Sequence, residues 1–173
     1  MIQLALLRHA KSSWDEPGID DFDRPLNTRG RAAAPVMGQI LASLKFQPDV
    51  VLCSPSVRTR ETLACVKPHF EKKGAAQIKL IDQLYLASPA DLMEHISSVA
   101  SDAKRVLVIG HNPGLQMLAS KLAASGDPAQ LIRLNEKFPT AALALLSFPS
   151  DTFANMDIQS GHLEAFITPK DRT

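Results

Sequence analysis

The stretch Ile2-Gln3-Leu4-Ala5-Leu6-Leu7-Arg8-His9-Ala10 decides the fold. Ile2 to Leu7 is a short, almost wholly apolar run that stops at a cation and an imidazole. It reads as a buried strand with two polar side chains delivered at its end. The pattern returns twice: Asp49 to Cys53 runs into Ser54-Pro55-Ser56-Val57-Arg58, and Arg105 to Gly110 runs into His111-Asn112-Pro113. Runs of this kind suit a parallel sheet covered on both faces. Between them, apolar residues recur at helical spacing: Ala33, Val36, Met37, Ile40, Leu41 and Leu44, and then Leu63, Val66 and Phe70. Leu92, Ile96 and Val99 continue the theme, followed by Leu115, Leu118, Ala119 and Leu122. Pro35 predicts a kink or a later start in the first of these helices. Further strands are expected at Ile78 to Ile81, Ala142 to Phe148 and Leu163 to Ile167. The last two are joined by the turn formers of Pro149 to Gly161, which predicts that one of them lies antiparallel at a sheet edge. The fold class is therefore α/β: three layers, α/β/α, around a mostly parallel sheet of about six strands.

A chain of 173 residues suits a single domain over residues 1–173, with a core of its own. The hydrophobic fraction of 45% and charged fraction of 21% exclude wholesale disorder. Nineteen basic residues against eighteen acidic ones leave a net charge of +1. That is too little for a sequence-independent hold on nucleic acid or an anionic membrane, so any basic site must be local. Cys53 and Cys65 have the spacing of neither a metal site nor a disulfide framework and read as buried thiols. The apolar run Leu4 to Leu7 is too short for a signal peptide, and no other stretch is long enough to span a bilayer. A cytoplasmic location is the expectation.

In open α/β sheets ligands bind beyond the carboxyl ends of the strands, so the three junctions should converge on one crevice. Arg8, His9, Arg58 and His111 would meet there, a set that suits a phosphoryl group. Asn112 and Pro113 read as the N-cap and first residue of a helix, and Ser56 caps the helix that carries Arg58 in the same way. Helix N-termini present free N–H groups to anions. Any one junction is compatible with an ordinary capped turn or a surface Arg-His pair, whereas the three together are not easily met by chance.

At these residues the sequence resembles the histidine phosphatase superfamily, of phosphoglycerate-mutase-like fold, and within it the small SixA-type phosphohistidine phosphatases. The matching segments are Leu7 to Trp14, Asp23-Arg24-Pro25-Leu26-Asn27-Thr28-Arg29-Gly30, Ser54 to Thr62, and Gly110 to Pro113. The resemblance implies that His9 is a nucleophile that becomes transiently phosphorylated, while Arg8, Arg58, His111 and Asn112 hold the phosphoryl oxygens. It implies no metal and no cofactor. Residue chemistry agrees: a neutral imidazole is a competent nucleophile near pH 7, and neighbouring guanidinium charges favour the neutral form. Its second nitrogen needs an acceptor to fix the tautomer. Arg suits phosphoryl oxygens through its planar fork of donors.

The chain departs from the family pattern in two places. Ala10 stands where the commonest triplet has Gly, and Gln83 stands where many relatives carry a Glu that protonates the leaving group. Asp82 is the candidate substitute for that acid. A missing acid favours a P–N substrate, because the basic nitrogen of phosphohistidine can take its proton from solvent. The expected activity is thus removal of phosphate from phosphohistidine in a signalling or carrier protein. The alternatives are a small-molecule phosphomonoesterase and a noncatalytic phosphate-binding module. No lid-sized insertion is evident, although Lys11 to Arg24 could cover the pocket. Trp14 is expected to pack that loop, with contact to the substrate's carrier as the other reading. Arg24 is expected to neutralise a nearby Asp or to orient the same loop. His69, His95 and His162 read as ordinary helix or strand-edge residues, and Glu71-Lys72-Lys73-Gly74 as a solvated helix end.

Overall fold

The structure, a computed structural model, describes residues 1–70 and 76–172. The strands are β1 (Ile2–Arg8), β2 (Val50–Cys53), β3 (Gln77–Leu80), β4 (Arg105–Gly110), β5 (Ala123–Gly126), β6 (Leu143–Phe148) and β7 (Gly161–Ile167). The helices are α1 (Thr28–Ser43), α2 (Val57–Val66), α3 (Pro89–Ser97), α4 (Gly114–Leu122) and α5 (Pro128–Glu136). All seven strands form one sheet in the order β3-β2-β4-β1-β6-β7-β5. β6 runs antiparallel to both of its neighbours, and every other pairing is parallel. The antiparallel strand therefore lies inside the sheet, not at its edge. The reason is burial: every residue of β6 is buried, which an edge strand cannot achieve. The edge is taken instead by β5, a short Ala-Ala-Ser-Gly run whose signal is too weak to read in advance.

Strand alternation splits the interior into two cores. Ile2, Leu4 and Leu6 of β1 join Val106 and Val108 of β4 on one face, packed by Leu92 and Ile96 of α3, Leu115 and Leu118 of α4, and Leu134 of α5. Ala5 and Leu7 with Leu107 and Ile109 face the other way, against Met37, Ile40 and Leu41 of α1 and Leu63 and Val66 of α2. These are the two outer layers of the α/β/α arrangement. Pro35 sits inside a continuous α1 and does not delay its start. Helix α2 stops earlier than its apolar pattern suggests: a single 3-10 turn, Lys67–His69, contains Pro68, and Phe70 is extended. The segment Glu71 to Gly74 lies outside the described residues. Helix α5 was not expected, yet it carries a boundary signal, with Asp127 accepting from Gln130 N–H and Pro128 in the first turn. Among the described residues no helix is long and apolar enough to cross a membrane.

One glycine ties α1 to the loop after β1. The Lys11 carbonyl accepts from Asn27 N–H at 2.9 Å, while Asn27 Oδ1 caps α1 by accepting from Gly30 N–H. A Cβ on Gly30 would lie 2.1 Å from that same carbonyl oxygen. Gly30→Ala should therefore cost about 2 kcal/mol or more and lower the Tm by several degrees, read by thermal unfolding. A variant as stable as the parent would show that the loop yields freely.

Candidate active site

Strands β2, β4 and β1 are neighbours, so their carboxyl ends set Ser54, His111 and His9 side by side. Ladder bonds persist beyond the strands: His9 N–H donates to the Gly110 carbonyl at 3.1 Å, and Ser54 N–H to the Ile109 carbonyl at 3.0 Å. The His9 and His111 rings lie with centroids 5.3 Å apart, and both side chains are buried. His9 Nδ1 is 2.7 Å from the Ala10 carbonyl, an acceptor only. Nδ1 is therefore the protonated nitrogen, and the lone pair is on Nε2. Ala10 is itself fixed, since its N–H donates to Thr62 Oγ1 of α2. Thr59 braces the α2 end from the other side, its hydroxyl lying 2.6 Å from the Ser54 carbonyl and 2.7 Å from Ser56 Oγ. Ser56 occupies the N-cap position as expected, but its hydroxyl engages Thr59 and makes no capping bond.

The guanidiniums are held by their terminal nitrogens. Arg8 Nη1 donates to the Phe138 carbonyl at 2.9 Å. Arg58, only 2% exposed, donates from Nη2 to Asp21 Oδ2 at 2.9 Å and from Nη1 to the Asp21 carbonyl. The Nε of each is buried with no hydrogen-bond partner. Buried donors are nearly always satisfied, so two orphaned N–H groups beside two imidazoles mark a site built for an anion. Arg58 Nη2 also lies 3.4 Å from His111 Nδ1. Because Arg has only donors, Nδ1 accepts, and Nε2–H of His111 donates to Ser54 Oγ at 2.8 Å.

A carboxylate and a phenol complete the cluster. Tyr85 O–H donates to Asp21 Oδ2 at 2.5 Å, and Arg24 Nε pairs with Asp21 Oδ1 at 3.1 Å. The Tyr85 ring stands edge-on to His111, with centroids 5.4 Å apart. Tyr85 and the nearby Arg58 and Arg24 charges hold the Asp21 carboxyl down at about 2, against the partial desolvation that pushes it up. The segment between Lys11 and Arg24 does reach over the pocket, through Asp21 and through Phe22, whose ring meets Tyr85 edge-on.

Burial, reinforced by the charges of Arg58 and Arg8, lowers His9 to about 3, with the Ala10 carbonyl acting the other way. His111 is lowered to about 3 by burial, then by His9 and Arg58. Unfolded histidines protonate near 6.5, so between about pH 6.5 and 3 the unfolded chain binds more protons than the folded one. The stability linked to these neutral rings is fully present above 6.5 and is lost as pH falls through 3. The Tm should drop as pH is lowered from about 6.5 to 4, and a His9→Ala/His111→Ala double variant should show a shallower drop. An equal slope in the double variant would contradict neutral buried rings.

A sequence profile of the histidine phosphatase superfamily (branch 1) matches residues 4–84. An uncharacterized protein of Mycobacterium tuberculosis is 39% identical over 142 residues, covering 81% of this chain and 85% of its own length. An uncharacterized chloroplastic protein of Arabidopsis thaliana is 36% identical over 130 residues, 71% of this chain; that alignment spans 60% of the plant protein. A crystal structure from Agrobacterium tumefaciens, provisionally described as the phosphohistidine phosphatase SixA, superposes with a TM-score of 0.78. It is 29% identical and covers 97% of this chain and 98% of its own. The chain belongs to the histidine phosphatase superfamily. Its membership and its geometry together support phosphatase activity.

Within this histidine phosphatase, the structure brings together Arg8, His9, Arg58 and His111, four of the six residues singled out from the sequence, the others being Asn112 and Asp82. Asn112 is not the helix cap: α4 begins at Gly114 with Pro113 in the cap position. Asn112 Nδ2 donates to the Phe138 carbonyl, at 3.0 Å, and to Gln116 Oε1, while its Oδ1 is buried without a partner. It thus shares an acceptor with Arg8. Asp82 is exposed at the start of a 3-10 turn and offers its backbone carbonyl to Tyr85 N–H. The carboxylate that reaches the cluster is Asp21, which sequence reasoning missed together with Tyr85. Trp14 is 72% exposed rather than packed inside, and the Arg24 guanidinium lies 3.4 Å over its ring. Arg24 fulfils both of its expected roles, pairing with Asp21 and donating to the Ser13 carbonyl of the loop. Cys53 is buried and its thiol is pushed up to about 12 by burial; Cys65 is partly buried.

Proposed function

We propose that residues 1–173 act as one domain that removes phosphoryl groups from phosphohistidine in a signalling or carrier protein through a covalent intermediate on His9. The observation that carries the substrate class is how Asp21 is tied: its carboxylate accepts from the Tyr85 O–H and pairs with Arg58 and Arg24. A carboxyl held at about 2 by Tyr85 and two guanidiniums is ionised at neutral pH and cannot protonate a departing alkoxide. The Tyr85 phenol, raised by desolvation and by Asp21, is a poor acid as well. A leaving imidazole needs neither, since its nitrogen takes a proton from water.

His9 Nε2 attacks phosphorus as the P–N bond to the substrate imidazole breaks, and the bonding pair stays on that nitrogen. Arg8 and Arg58 present their unpaired Nε–H groups to the phosphoryl oxygens, which stabilises charge as it shifts. Water then attacks phospho-His9, releases phosphate and restores the imidazole. His111 supports both steps by a tautomer change: with Ser54 O–H donating to Nε2, Nδ1 can carry the proton and donate to a phosphoryl oxygen. The residues supply binding and nucleophile, so the reading requires neither metal nor cofactor, and it carries forward the cytoplasmic location expected above.

The test compares initial rates on a phosphohistidine protein and on a panel of phosphomonoesters, with His9→Ala as the blank. Faster, His9-dependent release from phosphohistidine is expected. A phosphomonoester as the better substrate would overturn the reading and call for an acid, with Asp82 tested first; no turnover of any substrate would leave a noncatalytic phosphate-binding module.

A further inference from the structure

A cavity lies beside the phosphoryl pocket, lined by none of His9, Arg58 and His111. It measures about 520 Å³ and is lined by five basic side chains, Lys11, Arg29, Arg133, Lys137 and Lys170, against one acidic one, Glu136. In a chain whose net charge is only +1, this is a local concentration of positive charge. The two sites share their walls. Lys11 follows the nucleophile by two positions, and Pro139 to Ala141 form the opposite side. The same loop accepts Arg8 Nη1 at the Phe138 carbonyl and donates from Ala141 N–H to the His9 carbonyl at 3.0 Å.

We infer that this groove docks an acidic stretch of the protein that carries the phosphohistidine, next to the modified residue. The inference rests on the proposed function for its carrier and on the groove for its charge. Lys11, Arg29 and Lys137 are exposed, so their charges face solvent and are open to a partner. Arg133 is already bound bidentately to Asp171 at 2.8 Å, which fixes one wall and leaves the excess charge with Lys11, Arg29 and Lys137. Ala33, Pro139, Phe166 and Pro169 add apolar surface between the charges. A polypeptide with acidic and apolar side chains matches that mixture better than a bare polyanion, which would leave the apolar part uncovered. Docking of this kind acts through electrostatic complementarity, so it speeds encounter and sets partner choice more than it adds to chemistry at His9.

Two short histidine peptides, one flanked by Glu and the other by Ser and Gly, are phosphorylated chemically and compared with phosphoimidazole as substrates. At low salt the protein should show about tenfold higher kcat/KM on the acidic peptide, and the preference should fade as salt rises. Arg29→Glu/Lys137→Glu should erase that preference and leave turnover of phosphoimidazole unchanged. Equal rates on the two peptides, or a preference that survives the charge reversal, would overturn the groove's role. Binding of the unphosphorylated acidic peptide to His9→Ala, followed by fluorescence anisotropy, separates this inference from the function it rests on. Charge-sensitive binding there would uphold the groove even if no phosphohistidine were hydrolysed. Tripolyphosphate bound more tightly than the acidic peptide would overturn the choice of a polypeptide.

Discussion

His9→Ala should abolish turnover, a loss of about 10⁴-fold or more, and no acid-labile phosphoenzyme should be trapped. The size follows from what is removed. The tautomer lock on the Ala10 carbonyl leaves one nitrogen lone pair in the pocket that is not already bonded to protein, and without it only water can attack. Binding should survive, because Arg8 and Arg58 keep their positions through Phe138 and Asp21. Tungstate affinity measured by calorimetry should therefore change by less than about tenfold. Free imidazole should restore part of the activity by filling the vacated place, an effect that a merely structural histidine would not show. Turnover within about tenfold of the parent would remove His9 from the nucleophile's role.

Arg58→Ala should lower kcat/KM on any phosphorylated substrate by about 10³-fold, somewhat more than the loss of one oxyanion donor usually costs. The excess has a specific source. Arg58 is the main counter-charge of Asp21 on the pocket side, and its removal leaves an ionised carboxylate facing the incoming phosphoryl anion. Asp21→Asn in the Arg58→Ala background should then recover activity by about tenfold. In the parent the same Asn should reduce activity, because Arg58 loses the anion that orients it. The opposite signs make the pair a double-mutant cycle. Additive losses would show that Asp21 and Arg58 act independently.

The parts of the site legible in the sequence are those that sit on strand ends. Arg8, His9 and His111 follow β1 and β4, whose apolar runs announce both the strand and its termination. Arg58 follows from Ser54-Pro55-Ser56 as a helix start. Asp21 and Tyr85 carry no such marker. Asp21 lies in a 3-10 turn without periodicity, and Tyr85 just after another, so their meeting is a purely tertiary fact. The one available hint is Arg24, a cation that needed a carboxylate nearby and found it three residues back. The sheet shows the same division. The position of β6 depends on a pairing with β1 across most of the chain, which local pattern cannot reveal, whereas its strand character is plain in Leu143 to Phe148. Asn112 misleads because Asn-Pro is a good cap signal, overridden here by the Phe138 carbonyl.

The strand that carries His9 lies between β4 and β6, with Leu7 aligned to Ile109 on one side and to Leu143 on the other. β1 is translated before β4 and β6, so the strand has neither neighbour until the ribosome has passed them. Long-range closure of this kind is slow compared with local helix formation. Truncated or nascent chains should thus be catalytically silent however much helix they contain, and phosphatase activity would itself report that synthesis had passed β6.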